Sequence, residues 1–227
     1  MALVEHMDAD TRRDTRKIVH ALSRSIRERD IITYTHSRRV ATYAHRLARH
    51  MGWPRKLAHD LALCALVHDL GKTWIENEVL HKESALSTAE RTEMERHPAI
   101  GARMLEMYGA PSFMVEAVLH HHEAFDGRGY PDHLAGESIP IAARLLSVAD
   151  VFDALTSTRP YKAALDTSQA CERICGGSGA YFDPVVVAAF MDLLDRWPNF
   201  ILPHYTYAVS RHSTSRPVAR PRDMVGS

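Results

Sequence analysis

Apolar residues recur every three to four positions through most of this chain, the period of a helix that buries one face. From Asp8 to Arg29 the sequence is polar and Arg-rich, with Ile18, Val19, Leu22 and Ile26 making one narrow apolar stripe. That pattern predicts a surface helix docked by its stripe, with a dimer helix as the alternative. A second helix is expected from Thr33 to Met51, ended by Gly52. Pro54 opens a third, expected to run through "LALCALVHDL" to Gly71. Ser87 begins "STAE", a capping box ahead of a polar helix. Pro98 opens the next, stopped by Gly109, and Pro111 starts one expected to run into the histidines at 120–122. A clear helix spans about Pro140 to Ser157, and a shorter one Thr167 to Cys175, broken by "GGSG". Asp183 and Pro184 read as an N-cap and first-turn proline for "VVVAAFMDLLDRW". A strand is conceivable at Val185 to Val187, but the cap and the length favour a helix. No strand alternation and no internal repeat stands out elsewhere. The expected fold is therefore all-α, a compact helical bundle.

The length, 227 residues, suits one domain with extensions. We divide it into an N-terminal amphipathic helical segment at 1–30, a domain at 31–200 and a tail at 201–227. The tail is rich in Ser, Arg and Pro with few apolar anchors, and reads as disordered. Lys and Arg balance Asp and Glu at 28 each, so no overall charge marks a binder of long nucleic acid. The longest apolar run, "LALCALV" at 61–67, is far short of the roughly 18 residues of a membrane span. The start, "MALVEHMDAD", has early acidic residues and no signal-peptide pattern. Cys64, Cys171 and Cys175 have no zinc-type spacing, and a reduced, cytoplasmic protein is expected.

Histidine changes the picture, because there are 15. His36 shares a helix face with Val40 and Leu47, where a lone histidine is usually a satisfied core residue. His68 and Asp69 end an apolar run, where a helix-end cap is the plain alternative. His97 precedes Pro98 at a helix start, and His121 and His122 close the apolar stretch "FMVEAVLHHHE". Asp150 sits among packed residues of "LLSVADVFDAL", where a carboxylate is costly unless it is paired or coordinated. Taken together, five histidines and two aspartates make a nitrogen and oxygen ligand set sufficient for two metals. With no thiolate, it favours Fe, Mn, Co, Ni or Zn in a reactive site over a structural zinc–thiolate site.

The order of motifs resembles the HD-GYP family of the HD superfamily. The match consists of His36, "HDLGK" at 68–72, His97, "HHE" at 121–123, "GYP" at 129–131, "VADVFDAL" at 148–155, "RPYK" at 159–162 and "FDP" at 182–184. The resemblance covers about residues 31 to 195. It implies a dimetal phosphodiesterase that opens cyclic di-GMP to pGpG, with GMP as a further product in the family. It also implies two divalent ions, iron or manganese, with Asp69 bridging. His36, His68 and Asp150 would hold the first ion, and His121 and His122 the second with His97 beside them. By the same resemblance Asp69 and Lys72 carry catalysis, and Lys72, Arg159 and Lys162 contact substrate phosphates. Gly129, Tyr130 and Pro131 would wall the site and offer a contact for GGDEF-domain or other signalling proteins; a homodimer is also possible. His120 lies outside the motif and is expected to be structural. Some family members carry a glutamate four residues before the first histidine, which helps to hold a third metal. Ile32 stands there in this chain; isoleucine cannot ligate, so two metals are expected.

Overall fold

The computed structural model describes residues 9–158 and 163–197. Among these residues ten α-helices form: α1 (Ala9–Arg29), α2 (Ile31–His50), α3 (Arg55–Val67), α4 (Asn77–Leu80), α5 (Thr88–Met94), α6 (His97–Met107), α7 (Ser112–Leu119), α8 (Ile141–Thr156), α9 (Thr167–Gly176) and α10 (Pro184–Arg196). Two short 3-10 helices, Leu70–Trp74 and Gly136–Ser138, complete the set. The described residues contain isolated β-bridges but no strand. The all-α expectation holds, and Val185 to Val187 are helical. The Asp183 carboxylate accepts from the Val185 amide, and Pro184 lies in the first turn. The capping box at Ser87 and Glu90 forms as expected.

Two helices end earlier than the apolar pattern suggests. α3 stops at Val67, and the chain tightens into the 3-10 turn that contains Gly71. α7 stops at Leu119, so the three histidines lie in the turn beyond it. In both places the apolar stripe continues past the helix, because the histidines that follow are buried by tertiary packing. α2 begins two residues early, since the Asp30 carboxylate caps the amide of Ile32.

α2 runs through the middle of the bundle, packed by α3 and α8. Tyr43, Phe152 and Phe190 stack edge to face at its centre, with ring centroids 5.3 and 4.9 Å apart. α1 lays Val19, Leu22 and Ile26 into the same core, against α2 and α3. A part-buried ion pair pins it there: Arg12 grips the buried Asp60 carboxylate of α3 with its closest contact at 2.8 Å. No helix among the described residues is long and apolar enough to cross a membrane. The segment from residue 201 onward, including the expected disordered tail, lies outside the described residues.

Candidate metal centre

The centre is assembled where the 3-10 turn meets α6. A Cβ added at Gly71 would fall 1.9 Å from the His97 carbonyl oxygen and 2.8 Å from the Gly101 amide nitrogen. Only glycine lets the two backbones approach so closely. This contact sets His68 and Asp69, at the end of α3, against His97 in the first turn of α6. His121 and His122 arrive from the end of α7, His36 from the buried face of α2, and Asp150 from α8. All seven predicted ligands therefore converge.

Their donor atoms fall into two groups, His36 with His68 and Asp69, and His97 with His121 and His122. Within each group the atoms lie within 4.8 Å of one another. Asp69 stands between the groups. Its Oδ1 is 3.4 Å from His97 Nε2, while its Oδ2 is 3.5 Å from His68 Nε2 and 3.9 Å from His36 Nε2. Asp150 Oδ1 joins the first group, 2.8 Å from His36 Nε2 and 3.8 Å from His68 Nε2. His97 and His121 bring their Nε2 atoms to 3.4 Å.

The ring orientations are fixed from behind. The Nδ1 atoms of His68, His97 and His121 face the main-chain carbonyls of Ala65, Met94 and Val118 at 2.7, 2.8 and 2.7 Å. A carbonyl only accepts, so each Nδ1 donates and each Nε2 lone pair points inward. Burial pushes the pKa of His97 down to about 3 and that of His122 down to about 4, with Lys72 adding to the effect on both. Burial, with the neighbouring histidines, also holds His121 well below its ordinary value. These rings are neutral, as metal ligands must be. Burial works against charge on Asp69 and Asp150 too. Lys72 nonetheless keeps Asp69 ionised, and His36, with Nε2 2.8 Å from Oδ1, keeps Asp150 ionised, both with pKa values well below the usual range. Two atoms at the focus, His68 Nε2 and Asp69 Oδ1, are buried with no hydrogen-bond partner. Uncompensated buried donor atoms of this kind, all nitrogen and oxygen, fit a divalent cation.

Around this focus the "GYP" loop is fastened at several points. Gly129 sits so close to Glu123 and Ala124 that a Cβ would meet the Ala124 amide nitrogen at 2.1 Å. Tyr130 stacks on His122, with ring centroids 5.0 Å apart and planes at 27°. His120 bridges the Glu116 carbonyl and the Asp132 carboxylate, each at 3.0 Å, which makes it structural as expected. Buried Glu123 accepts from the Asp132 amide at 2.7 Å. Tyr130 and Pro131 are half-buried, and Asp132 and His133 are exposed. Lys72 reaches Asp69 Oδ2 at 2.8 Å, at the edge of the focus.

A family model described as HD domain matches residues 20–186 of the chain. The chain belongs to the HD domain family. The HD-GYP resemblance drawn from its motifs stands with that assignment. A protein of Pseudomonas aeruginosa named as a cyclic di-GMP phosphodiesterase is 39% identical over 170 residues, covering 74% of this chain and 41% of that protein. A Vibrio cholerae protein named 3'3'-cGAMP-specific phosphodiesterase 2 is 34% identical over 194 residues, covering 85% of this chain and 37% of that protein. The chain thus spans less than half the length of either relative. Among solved structures, a cyclic GMP-AMP-specific phosphodiesterase of V. cholerae superposes with a TM-score of 0.61 at 20% identity, over 81% of this chain and 49% of that one. That likeness supports the HD fold.

Sequence reasoning missed three side chains of this HD domain. Asp153 receives His36 Nδ1 at 2.6 Å and Arg39 Nε at 2.7 Å, and Glu123 anchors the loop. A signal for the first pair was present. Asp153 follows Asp150 by three residues and Arg39 follows His36 by three, so each lies on the face that carries a ligand. Ile32, one turn before His36, is 40% exposed. Arg159 and Lys162 lie outside the described residues.

Proposed function

We propose that this HD domain is a metal-dependent phosphodiesterase that hydrolyses cyclic di-GMP to pGpG. The observation that carries the reading is the placement of Asp69, whose two carboxylate oxygens face two separate histidine groups. One carboxylate can serve two cations in that way. His36, His68 and Asp150 would hold one, and His97, His121 and His122 the other, with iron or manganese suited to the donors. When bound, such a pair supplies Lewis acidity, acidifying a water and offsetting charge on the phosphate oxygens. The chain's own residues do the rest. His97, His121 and His122 stay neutral through burial; His68, His97 and His121 keep Nε2 inward, while Lys72 stands 2.8 Å from Asp69, ready to contact the scissile phosphate. Arg159 and Lys162 would grip the remaining phosphates. Tyr130, stacked on His122, closes one wall. The catalytic unit would span 31–200. The exposed outer residues of the loop would meet a GGDEF-domain or similar signalling partner in the cytoplasm, and a homodimer fits the same role.

A mixed cyclic dinucleotide is the second reading, favoured by the 34%-identical relative named for 3'3'-cGAMP. One experiment separates them. Anaerobic protein loaded with Mn(II) or Fe(II) is incubated with each dinucleotide, and the products are resolved by chromatography. Formation of pGpG from cyclic di-GMP is expected. Loaded protein that consumes neither substrate refutes the phosphodiesterase reading.

A further inference from the structure

One imidazole of the centre is backed differently from three of the others. His68, His97 and His121 rest their Nδ1 atoms on neutral carbonyls. His36 rests Nδ1 on a carboxylate, Asp153 Oδ2, at 2.6 Å. Asp153 is wholly buried. It is held by a guanidinium fork: Arg39 Nε donates to Oδ1 at 2.7 Å and Arg39 Nη2 to Oδ2 at 2.9 Å. Ser157 Oγ adds a third contact at 3.1 Å and itself accepts from Arg39 at 2.9 Å. A buried carboxylate fixed at both oxygens cannot rotate away from the imidazole. It locks the tautomer with hydrogen on Nδ1, and its negative charge makes Nε2 a better donor. Asp150 stands at the same ring's Nε2, so this half also has a carboxylate of its own. The other half consists of three neutral rings sharing only Asp69.

We propose that Asp153, clamped by Arg39, is a positioning residue that makes the His36–His68–Asp150 half of the centre the tighter of two cation sites, and hence the first to fill. The proposal rests on the two-cation reading above. Asp153 touches neither substrate nor cation; it acts through His36.

The test is titration of the metal-free full chain with Mn(II), followed by calorimetry and by electron paramagnetic resonance of free and bound ion. Wild-type protein is expected to bind in two resolved steps. Asp153→Asn keeps the shape but removes the charge, and should weaken the tighter step about tenfold to hundredfold while leaving the weaker one in place. Arg39→Lys keeps a cation but loses the fork, and should weaken the same step by a smaller factor. It serves as the test if Asp153→Asn does not fold by circular dichroism. A merely structural role would weaken both steps together. Wild-type protein that takes up fewer than two Mn(II) removes the two-cation reading, and this proposal with it. Wild type that takes up two, with variants that titrate like it, lose both steps equally or lose only the weaker step, overturns this proposal alone.

Discussion

Replacing Gly71 with alanine tests whether a single backbone contact assembles the centre. The new Cβ would lie 1.9 Å from the His97 carbonyl oxygen and 2.8 Å from the Gly101 amide nitrogen, main-chain atoms that cannot swing aside. In a close-packed interior the 3-10 turn and α6 must then part by about 1 to 1.5 Å. Asp69 Oδ1 is 3.4 Å from His97 Nε2, so parting of that size takes one ligand out of reach of a cation the other still holds. Overpacking should cost about 1–3 kcal/mol in stability. Misplacing the site by about 1 Å should cost roughly a hundredfold in rate. Urea denaturation gives the first quantity, and elemental analysis with turnover gives the second. Gly176→Ala is the control: its Cβ meets nothing within 4 Å, and its φ is ordinary. It should stay within about 0.5 kcal/mol of wild type. Gly71→Ala protein with wild-type stability and a full complement of metal would refute the reasoning.

Asp69→Ala should lose metal and activity together while circular dichroism keeps its helical signal, because the core is built from Leu, Val, Ala and aromatic residues elsewhere; retention of both ions would rule out bridging. Arg12→Ala should destabilise the fold by about 3 kcal/mol, since it removes the partner of the buried Asp60 carboxylate, and chemical denaturation measures the loss. Arg159→Ala should weaken binding of a non-hydrolysable dinucleotide by about tenfold to hundredfold, as calorimetry would read it, with metal content unchanged. An unchanged affinity would return Arg159 to a solvated surface role.

Much of the helical frame and the set of ligand types was legible before any coordinates. Asp183 with Pro184 and Ser87 with Glu90 announce helix starts because a cap is satisfied within three residues of itself. The stripe of Val19, Leu22 and Ile26 announces a docked face because helical period depends only on neighbours three and four apart. The seven candidate ligands could be named because a histidine or aspartate among apolar residues needs a partner, whatever the fold. Helix ends were less legible. The apolar pattern of α3 runs on to Gly71, but the tight turn there answers to a backbone contact with His97 and Gly101 of α6, far along the chain.

Tertiary structure decided what the ligands do together. His36 and Asp153 lie 117 positions apart, and nothing local to either says that they meet. The facing of Asp69's two oxygens, one toward His97 and one toward His68, depends on where α6 and the end of α3 come to rest. The same packing chooses which imidazole nitrogen is spent on a carbonyl and which is left to ligate. Local chemistry sets each side chain's need for a partner through short-range sterics and hydrogen bonds. The partner itself is chosen by the burial of whole helix faces, and that sums over residues far apart in the chain.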